Sequence, residues 1–401
     1  MNLTTKLKKV IRRCPVCLGE IADTLHGMAF ILPESYSLSN SYDVVMCQLC
    51  GFVYADTSAS QEDYDFYYKE LSKYEDNTTG SGGGVASWDI ERLERTASDL
   101  SNLLPNRDVE ILDIGCANGG LLTAFKRQGY NRIVGLDPST ICVRNVKRNG
   151  IEAVVGGLFD LKTLDNRQFD CIILSHVLEH IVDVQASIEN LIISLKDGGL
   201  LYIEVPDASR YAQYYVVPDY YFDIEHINHF DEFSLQNLIL KYGFKTLPCI
   251  KKEIQISKTD KYPVVGMIFL RTSLNRIESK MTINQDAYRS VVKYIEMSRQ
   301  SDIFLEIDQF VESQEKIVVW GAGSYTQRLL NTTSLRLSNI IAFIDNDSKK
   351  QGMTIEGIPI YSPIFLKDLM IPIIICSALH SDDIVSYIQR MGLSNRIVVL
   401  K

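Results

Sequence analysis

The sequence predicts an α/β protein, with two open and mainly parallel sheets preceded by a small segment with its own organisation. Three observations carry this. Two C-x-x-C pairs, Cys14/Cys17 and Cys47/Cys50, stand near the start of the chain. From 109 to 137 come a short apolar strand, a glycine turn, an amphipathic stretch and a second apolar strand ending at an acid. The same order returns between 316 and 345. Strand, glycine turn, helix and strand make a βαβ unit, with the turn at the carboxyl end of its first strand, where open α/β sheets take their ligands.

The totals agree with this class. A chain of 401 residues has room for two or three domains, and 46% hydrophobic with 23% charged residues is an ordinary globular composition. No apolar run approaches the roughly eighteen residues of a membrane span. The N-terminus "MNLTTKLKKVIRRC" is basic but lacks the apolar core of a secretory signal, so a cytoplasmic location is expected. A net charge of −9 disfavours broad binding to nucleic acid. The cluster Lys6, Lys8, Lys9, Arg12 and Arg13 reads as a solvated tail.

The cysteine pairs come first along the chain. Each C-x-x-C forms a tight knuckle, and two knuckles offer four thiolates at the corners of a tetrahedron. Cys14, Cys17, Cys47 and Cys50 are therefore expected to hold a structural zinc within a domain spanning 1–75, with redox dithiols or an iron–sulfur cluster as alternatives. The other five (Cys116, Cys142, Cys171, Cys249, Cys376) lie mostly among apolar residues, as thiols rather than a disulfide framework. Tyr64, Tyr67, Tyr68 and Tyr74 follow, then the Gly-rich stretch 80–84, expected as a flexible joint or a mobile lid.

A central domain is expected over 76–250. Its strands are read at Val109–Leu112 and Arg132–Leu136, with Leu121, Leu122 and Phe125 facing the core from the helix between them. The turn Asp113-Ile-Gly115-Cys-Ala117-Asn-Gly119-Gly120 does not fit the dinucleotide pattern G-x-G-x-x-G. "FDCIILS", 169–175, reads as a buried strand. It runs into His176-Val-Leu-Glu179-His180, which has the H-x-x-E-H spacing of some zinc peptidases.

The ordered set resembles the class I S-adenosylmethionine (SAM)-dependent methyltransferases. The turn matches their D-x-G-x-G-x-G with Ala117 at the middle glycine. "GLDPS", "GGLFD" (156–160), "FDCIILSHVLEH" and "LKDGGLLYIEVPD" follow in the family's order, so the likeness covers roughly 108–207. The resemblance implies a Rossmann-like sheet and SAM as methyl donor. By it, Asp113 anchors the methionyl amine through water, and Gly115 and Gly119 allow close approach. Asp137 holds the ribose hydroxyls, Leu158 and Phe159 flank the adenine, and Ser175 and His176 line the methionine end. Glu179 and His180 then become helix-start residues rather than zinc ligands.

Beyond "GLLYIEVPD" comes a tyrosine-rich stretch and then Glu225-His226-Ile-Asn-His229-Phe230. "SLQNLILKYGF" reads as a helix with Ser234 as N-cap and Gly243 as its stop. A histidine near neutrality suits general-base work, with Glu225 orienting it; a structural role, or a metal held by Glu225, His226 and His229, are alternatives. Together with the cysteine pairs, these residues resemble a narrower branch, the C-methyltransferases of nucleotide-linked deoxy-ketosugars. The resemblance implies that His226, beside Glu225, removes a proton next to the sugar ketone and that the enolate attacks the SAM methyl. The branch often has a tyrosine three residues before the histidine; here that position is Asp223, with Tyr220 and Tyr221 out of register.

Residues 251–315 are charged and read as a helical connector. "KIVVWGAGSYTQRLL" then opens a second Rossmann-like domain, 316–401, with Gly321 and Gly323 in its turn and Asp345 closing its second strand. Thr326 stands where a third glycine would be, so a dinucleotide is not expected. The resemblance implies that this domain helps hold the nucleotide part of the substrate. The expected partner is thus a nucleotide-sugar, with no nucleic acid and no membrane. O- or N-methylation of another small molecule is the alternative, and RNA methylation a more distant one.

Overall fold

The computed structural model describes residues 6–33, 36–71, 87–247, 249–272, 280–367 and 369–401. Tyr74 and the Gly-rich stretch 80–84 lie outside them.

The N-terminal segment is an antiparallel sheet of β1 (Lys6–Lys9), β2 (Ile21–Ala29), β3 (Ser41–Cys47) and β4 (Val53–Asp56). The first cysteine knuckle joins β1 to β2 and the second joins β3 to β4. Helix α1 (Gln61–Leu71) follows. Of the basic cluster, Lys6, Lys9 and Arg13 are exposed as composition suggested, but Lys8 and Arg12 are not. Lys8 lies 2.8 Å from Asp43 and 2.6 Å from Asp56 in ion pairs, and Arg12 is buried.

The central sheet begins after α2 (Ser87–Ser101). It contains β5 (Ile111–Ile114), α3 (Gly120–Arg127), β6 (Ile133–Asp137), α4 (Thr140–Arg148), β7 (Glu152–Val155), β8 (Phe169–Ser175), α5 (Val184–Ser194) and β9 (Leu195–Pro206). β10 (Asn228–His229) then leaves this domain to pair with β4, so the first sheet is completed by a strand from far downstream, beside the Glu225–His226 loop.

 

Two further strands lie past helix α6 (Glu232–Ile239) on one side of the sheet: β11 (Phe244–Thr246) and β12 (Ile250–Gln255), both paired with β13 (Lys261–Arg271). The sheet order is β11-β13-β9-β8-β5-β6-β7. It is parallel from β7 to β9 and antiparallel at β13. The chain moves outward from β5 to β7, then returns to β8 on the other side of β5. The carboxyl ends of β5 and β8 therefore flank the crevice of a topological switch point.

Three expectations change here. Ile250–Gln255 and Lys261–Arg271 are strands and not part of a helical connector. Lys261–Arg271 is a nearly continuous buried run at the centre of the antiparallel half, and the charged look upstream belongs to β12, whose side chains alternate at an edge. Helix α6 is capped by Asp231, with Ser234 as its reciprocal partner in a capping box, and not by Ser234. The first central strand runs from Ile111 to Ile114, with Val109 buried just before it.

Helices α7 (Asp286–Arg299) and α8 (Ile303–Ser313) lead to the last sheet. It contains β14 (Lys316–Trp320), α9 (Ser324–Thr332), β15 (Asn339–Ile344), β16 (Thr354–Ile355), β17 (Ile358–Tyr361), β18 (Ile373–Ile375), α10 (Ser381–Arg390) and β19 (Ile397–Val399). The order is β16-β17-β15-β14-β18-β19, parallel except at β16. Between the sheets lies an aromatic cluster in which Tyr211 stacks on Tyr221 at 3.8 Å and Tyr294 closes on both edge-on. Among the described residues no helix is long and apolar enough to cross a membrane.

Candidate active site

The turn after β5 is held by backbone geometry that few residues tolerate. Gly115 and Gly119 have φ of 72° and 79°. A Cβ at Gly115 would come within 2.6 Å of Val177 Cγ2, and one at Gly119 within 2.8 Å of Val146 Cγ2. Both positions require glycine twice over, by conformation and by space. Ala117, at the middle-glycine position, is also left-handed at φ 45°, a strain of about 1–2 kcal/mol. The strand-end acid secures it: Asp137 Oδ2 accepts the Ala117 N–H at 2.8 Å and Oδ1 accepts the Ser139 N–H at 2.9 Å.

Asp113 is buried. Burial and the neighbouring Asp137 charge push its pKa up to about 8. A carboxyl in that state is a ready partner for a ligand ammonium. The residues of this turn thus fit a ligand that brings an ammonium and hydroxyl groups, as SAM does. Leu158 is buried in the main core and Phe159 packs half-buried against it, beside a turn closed by Gly157 N–H donating to Asp160 at 2.9 Å.

Across the crevice, β8 ends at Ser175 and His176. His176 is itself left-handed at φ 57°, strain of the kind that collects at functional sites. Its Nδ1 lies 3.0 Å from Glu179 and its Nε2 3.6 Å from Glu204. Burial alone would lower its pKa, but these two carboxylates outweigh burial and raise it to about 9, so the ring is an imidazolium at neutral pH. Glu204, fully buried on β9, receives the Tyr202 hydroxyl at 2.6 Å, Lys252 at 2.5 Å, Arg92 at 3.2 Å and Ser175 Oγ at 3.3 Å. Burial opposes its charge, yet Lys252, His176 and Arg92 hold its pKa well below the usual range. Sequence reasoning missed this network. A glutamate inside the apolar strand "LLYIEVP" was the signal, because a charge in a buried strand needs partners.

The Glu225–His226 loop is clamped to the turn that follows β8. Ile227 N–H donates to Glu179 O at 2.9 Å, and Asn228 Nδ2 donates to Leu178 O at 2.7 Å and Ile181 O at 2.8 Å. His180 Nδ1 lies 2.9 Å from Glu225 O, and its ring meets that of His226 edge to face with centroids 4.9 Å apart. The Glu225 carboxylate accepts the Tyr67 hydroxyl at 2.9 Å, so α1 of the N-terminal segment reaches into this region. Arg12 adds a second tie, donating to Ile181 O at 2.9 Å, Val182 O at 2.7 Å and Asn228 Oδ1 at 2.9 Å.

The histidines separate by surroundings. His229 is buried, with Nδ1 3.3 Å from the Tyr211 hydroxyl, and burial followed by the Arg12 charge lowers its pKa to about 3. It is a packing residue and does not join Glu225 and His226 in a metal set. His176 and His180 of the H-x-x-E-H segment also turn to different partners. The trio whose donor atoms meet within 4.8 Å is Glu179, His180 and His226. The four cysteines of the N-terminal segment form a second such group, with Cys14 Sγ 3.5 Å from Cys50 Sγ and Cys17 Sγ 3.4 Å from Cys47 Sγ.

The second glycine turn repeats the device of the first. Ala322 N–H donates to Asp345 Oδ2 at 2.8 Å, as Ala117 does to Asp137, and Lys350 lies 3.3 Å from the same oxygen. Gly321 has φ 111°, and a Cβ there would lie 2.6 Å from Cys376 O. At the start of α9, Ser324 Oγ donates to Asp223 Oδ2 at 2.9 Å, which joins this turn to the Glu225–His226 loop. Asp223, at the position where the narrower branch often has a tyrosine, is therefore a link between sheets.

Comparison with known proteins agrees with the central architecture. A methyltransferase-domain family matches residues 87–248, and a family described as C2185-like, N-terminal, matches 313–399. Among curated proteins, the ubiquinone biosynthesis O-methyltransferase of Rickettsia canadensis is 30% identical over 129 residues, 31% of this chain and 51% of that protein. Its counterpart in Bradyrhizobium sp. is 32% identical over 116 residues, 28% of this chain and 44% of that one. The chain thus spans about half the length of the curated relatives it matches. Among solved structures, magnesium protoporphyrin IX methyltransferase from Synechocystis with bound SAM aligns at TM-score 0.40 and 14% identity, covering 54% of this chain and 100% of that one. The 1,6-didemethyltoxoflavin-N1-methyltransferase of Burkholderia thailandensis aligns at TM-score 0.40 and 18% identity, covering 60% and 99%. With the sheet order, the glycine turn and the family match in agreement, residues 87–248 form a methyltransferase domain on a Rossmann-like sheet.

Proposed function

We propose that the chain is a SAM-dependent C-methyltransferase acting on a nucleotide-linked deoxy-ketosugar. The observation that carries this is the Glu225–His226 loop, tied by His180, Tyr67 and Arg12 to the turn that follows β8. Asp113, Gly115, Gly119, Asp137, Leu158, Phe159, Ser175 and His176 are assigned to the cofactor. His226 acts as general base and takes the proton from the carbon beside the sugar ketone; the electron pair moves onto the carbonyl oxygen, and Glu225 keeps the loop in position. SAM, when bound, would supply the electrophilic methyl group: as the enolate carbon takes it and the carbonyl re-forms, the methyl–sulfur bond would break with its electron pair left on the departing thioether. The proton on His226 then passes to water, which restores the base.

The remaining parts follow from that assignment. Cys14, Cys17, Cys47 and Cys50 hold a structural zinc, for which four thiolates are a closed donor set. Residues 316–401 act as a Rossmann-like domain whose Gly321–Gly323 turn receives the nucleotide. The Ser324–Asp223 hydrogen bond supports this, because it joins that turn to the reacting loop.

O- or N-methylation of another small molecule is the second reading. It is favoured by the curated relatives, which are named as O-methyltransferases. One assay separates the two: SAM and a panel of nucleotide-linked 4-keto-6-deoxyhexoses in deuterated water, with products read by mass. A methyl gained on carbon, with deuterium exchange beside the ketone when SAM is omitted, is the expected result. Neither exchange nor methylation would remove the ketosugar and turn attention to oxygen and nitrogen acceptors.

A further inference from the structure

Glu179 and His180 lie on the turn after β8 and His226 on the loop before β10, and their donor atoms gather within 4.8 Å. The proposed reaction leaves part of this meeting point unused. Glu179 is buried; its Oε1 faces His176 Nδ1 at 3.0 Å, while its Oε2 is shut away from solvent with no hydrogen-bond partner among the described residues. A native fold rarely leaves a buried carboxylate oxygen unsatisfied, because desolvation of that atom is then uncompensated. His180 meets the carbonyl of Glu225 through Nδ1 at 2.9 Å. Donation of Nδ1–H to that carbonyl makes Nε2 the lone-pair nitrogen. Metal-ligating histidines are commonly oriented in this way, by a carbonyl on the far ring nitrogen.

We propose that Glu179, His180 and His226 form a binding site for one divalent cation of the first transition series. Two imidazoles and a carboxylate favour such an ion over magnesium or calcium, which prefer all-oxygen shells. Three protein ligands leave the coordination sphere open, as in catalytic rather than structural sites. The open positions suit an oxygen of the acceptor, such as its ketone. In this respect only, the inference rests on the function proposed above, in which the acceptor is presented at the Glu225–His226 loop. A His226 nitrogen that coordinates the ion cannot take a proton at the same atom. The metal-free protein therefore tests the base, by deuterium exchange, and metal binding tests the site.

The test is a titration of the full chain, its cysteine site filled with zinc, with cobalt(II), followed by visible absorption. The expected result is one equivalent of cobalt with weak ligand-field bands and no thiolate charge-transfer band. Glu179→Gln and His180→Asn should each weaken cobalt binding at least tenfold, with SAM binding retained as the control for folding. Both positions are buried, so His226→Asn, on the half-buried residue, is the deciding variant if either of those fails to fold. The inference is overturned if no cobalt binds, if the only band is a thiolate band from exchange into the cysteine site, or if His226→Asn binds cobalt as tightly as the parent.

Discussion

At the residue scale, two groups in the crevice have testable chemistry. His226→Asn removes the proposed base and is expected to lower turnover by about 10²–10⁴-fold while leaving SAM affinity unchanged; single-turnover kinetics beside a binding titration measure both. Loss of SAM binding instead would count against the base role. Asp113 sets a pH dependence. Its pKa in the folded protein is raised to about 8 by burial and by Asp137, and an ammonium partner favours the ionised form. SAM affinity is therefore expected to rise with pH toward about 8, as the cost of ionising Asp113 disappears, and Asp113→Asn should flatten the profile. A titration of Kd against pH on both proteins checks this, and a flat profile for the parent would exclude Asp113 as the amine's partner. Asp113, Gly115 and Asp137 were legible in the sequence because a glycine turn between a strand and a helix leaves a local trace. The pairing of Glu204 with Arg92 and Lys252 was not, since those partners come from α2 and β12.

At the scale of elements, the loop that carries Glu225 and His226 owes its position to its neighbours. Arg12, just ahead of the first cysteine knuckle, donates to Ala55 O on β4, to Ile181 O and Val182 O in the turn after β8, and to Asn228 Oδ1 on β10. Arg12→Ala removes these buried bonds and should lower the unfolding free energy by roughly 3 kcal/mol, measured by urea denaturation; a change below about 0.5 kcal/mol, ordinary for a surface site, would show that the tie is dispensable. Composition hid this residue, because an arginine in a run of basic residues looks solvated until burial is known. It hid β12 and β13 for a related reason: a charged edge strand beside a glycine-containing apolar strand has no helical period, but its charge density resembles that of an exposed helix.

At the scale of the whole molecule, the cysteine segment shares a sheet with the strand that follows the Glu225–His226 loop. β10 pairs with β4, Asn228 opposite Tyr54 and His229 opposite Val53, and the Tyr67 hydroxyl reaches Glu225 from α1. The cysteine site lies at the ends of the same sheet. Removing the zinc proposed there with a strong chelator is expected to abolish methyl transfer in step with zinc release while SAM binding to the central sheet persists. Metal release followed with a colorimetric chelator, alongside activity and SAM titration, reads all three. Full activity after complete zinc loss would show that the segment is only an appendage.

By itself the sequence determined the features whose causes are local. Cysteine spacing shapes knuckles, a positive φ selects glycine at 115 and 119, and the alternation of apolar strands with amphipathic helices dictates parallel βαβ units. Only the tertiary structure decided which of the chemistry-bearing residues meet. The H-x-x-E-H spacing suggested His176 with His180, but the turn after β8 sends His176 to Glu204 and brings Glu179 and His180 to His226. That outcome depends on the direction in which the chain leaves β8 and on the packing of a loop from another part of the chain, and residue spacing within one segment contains neither.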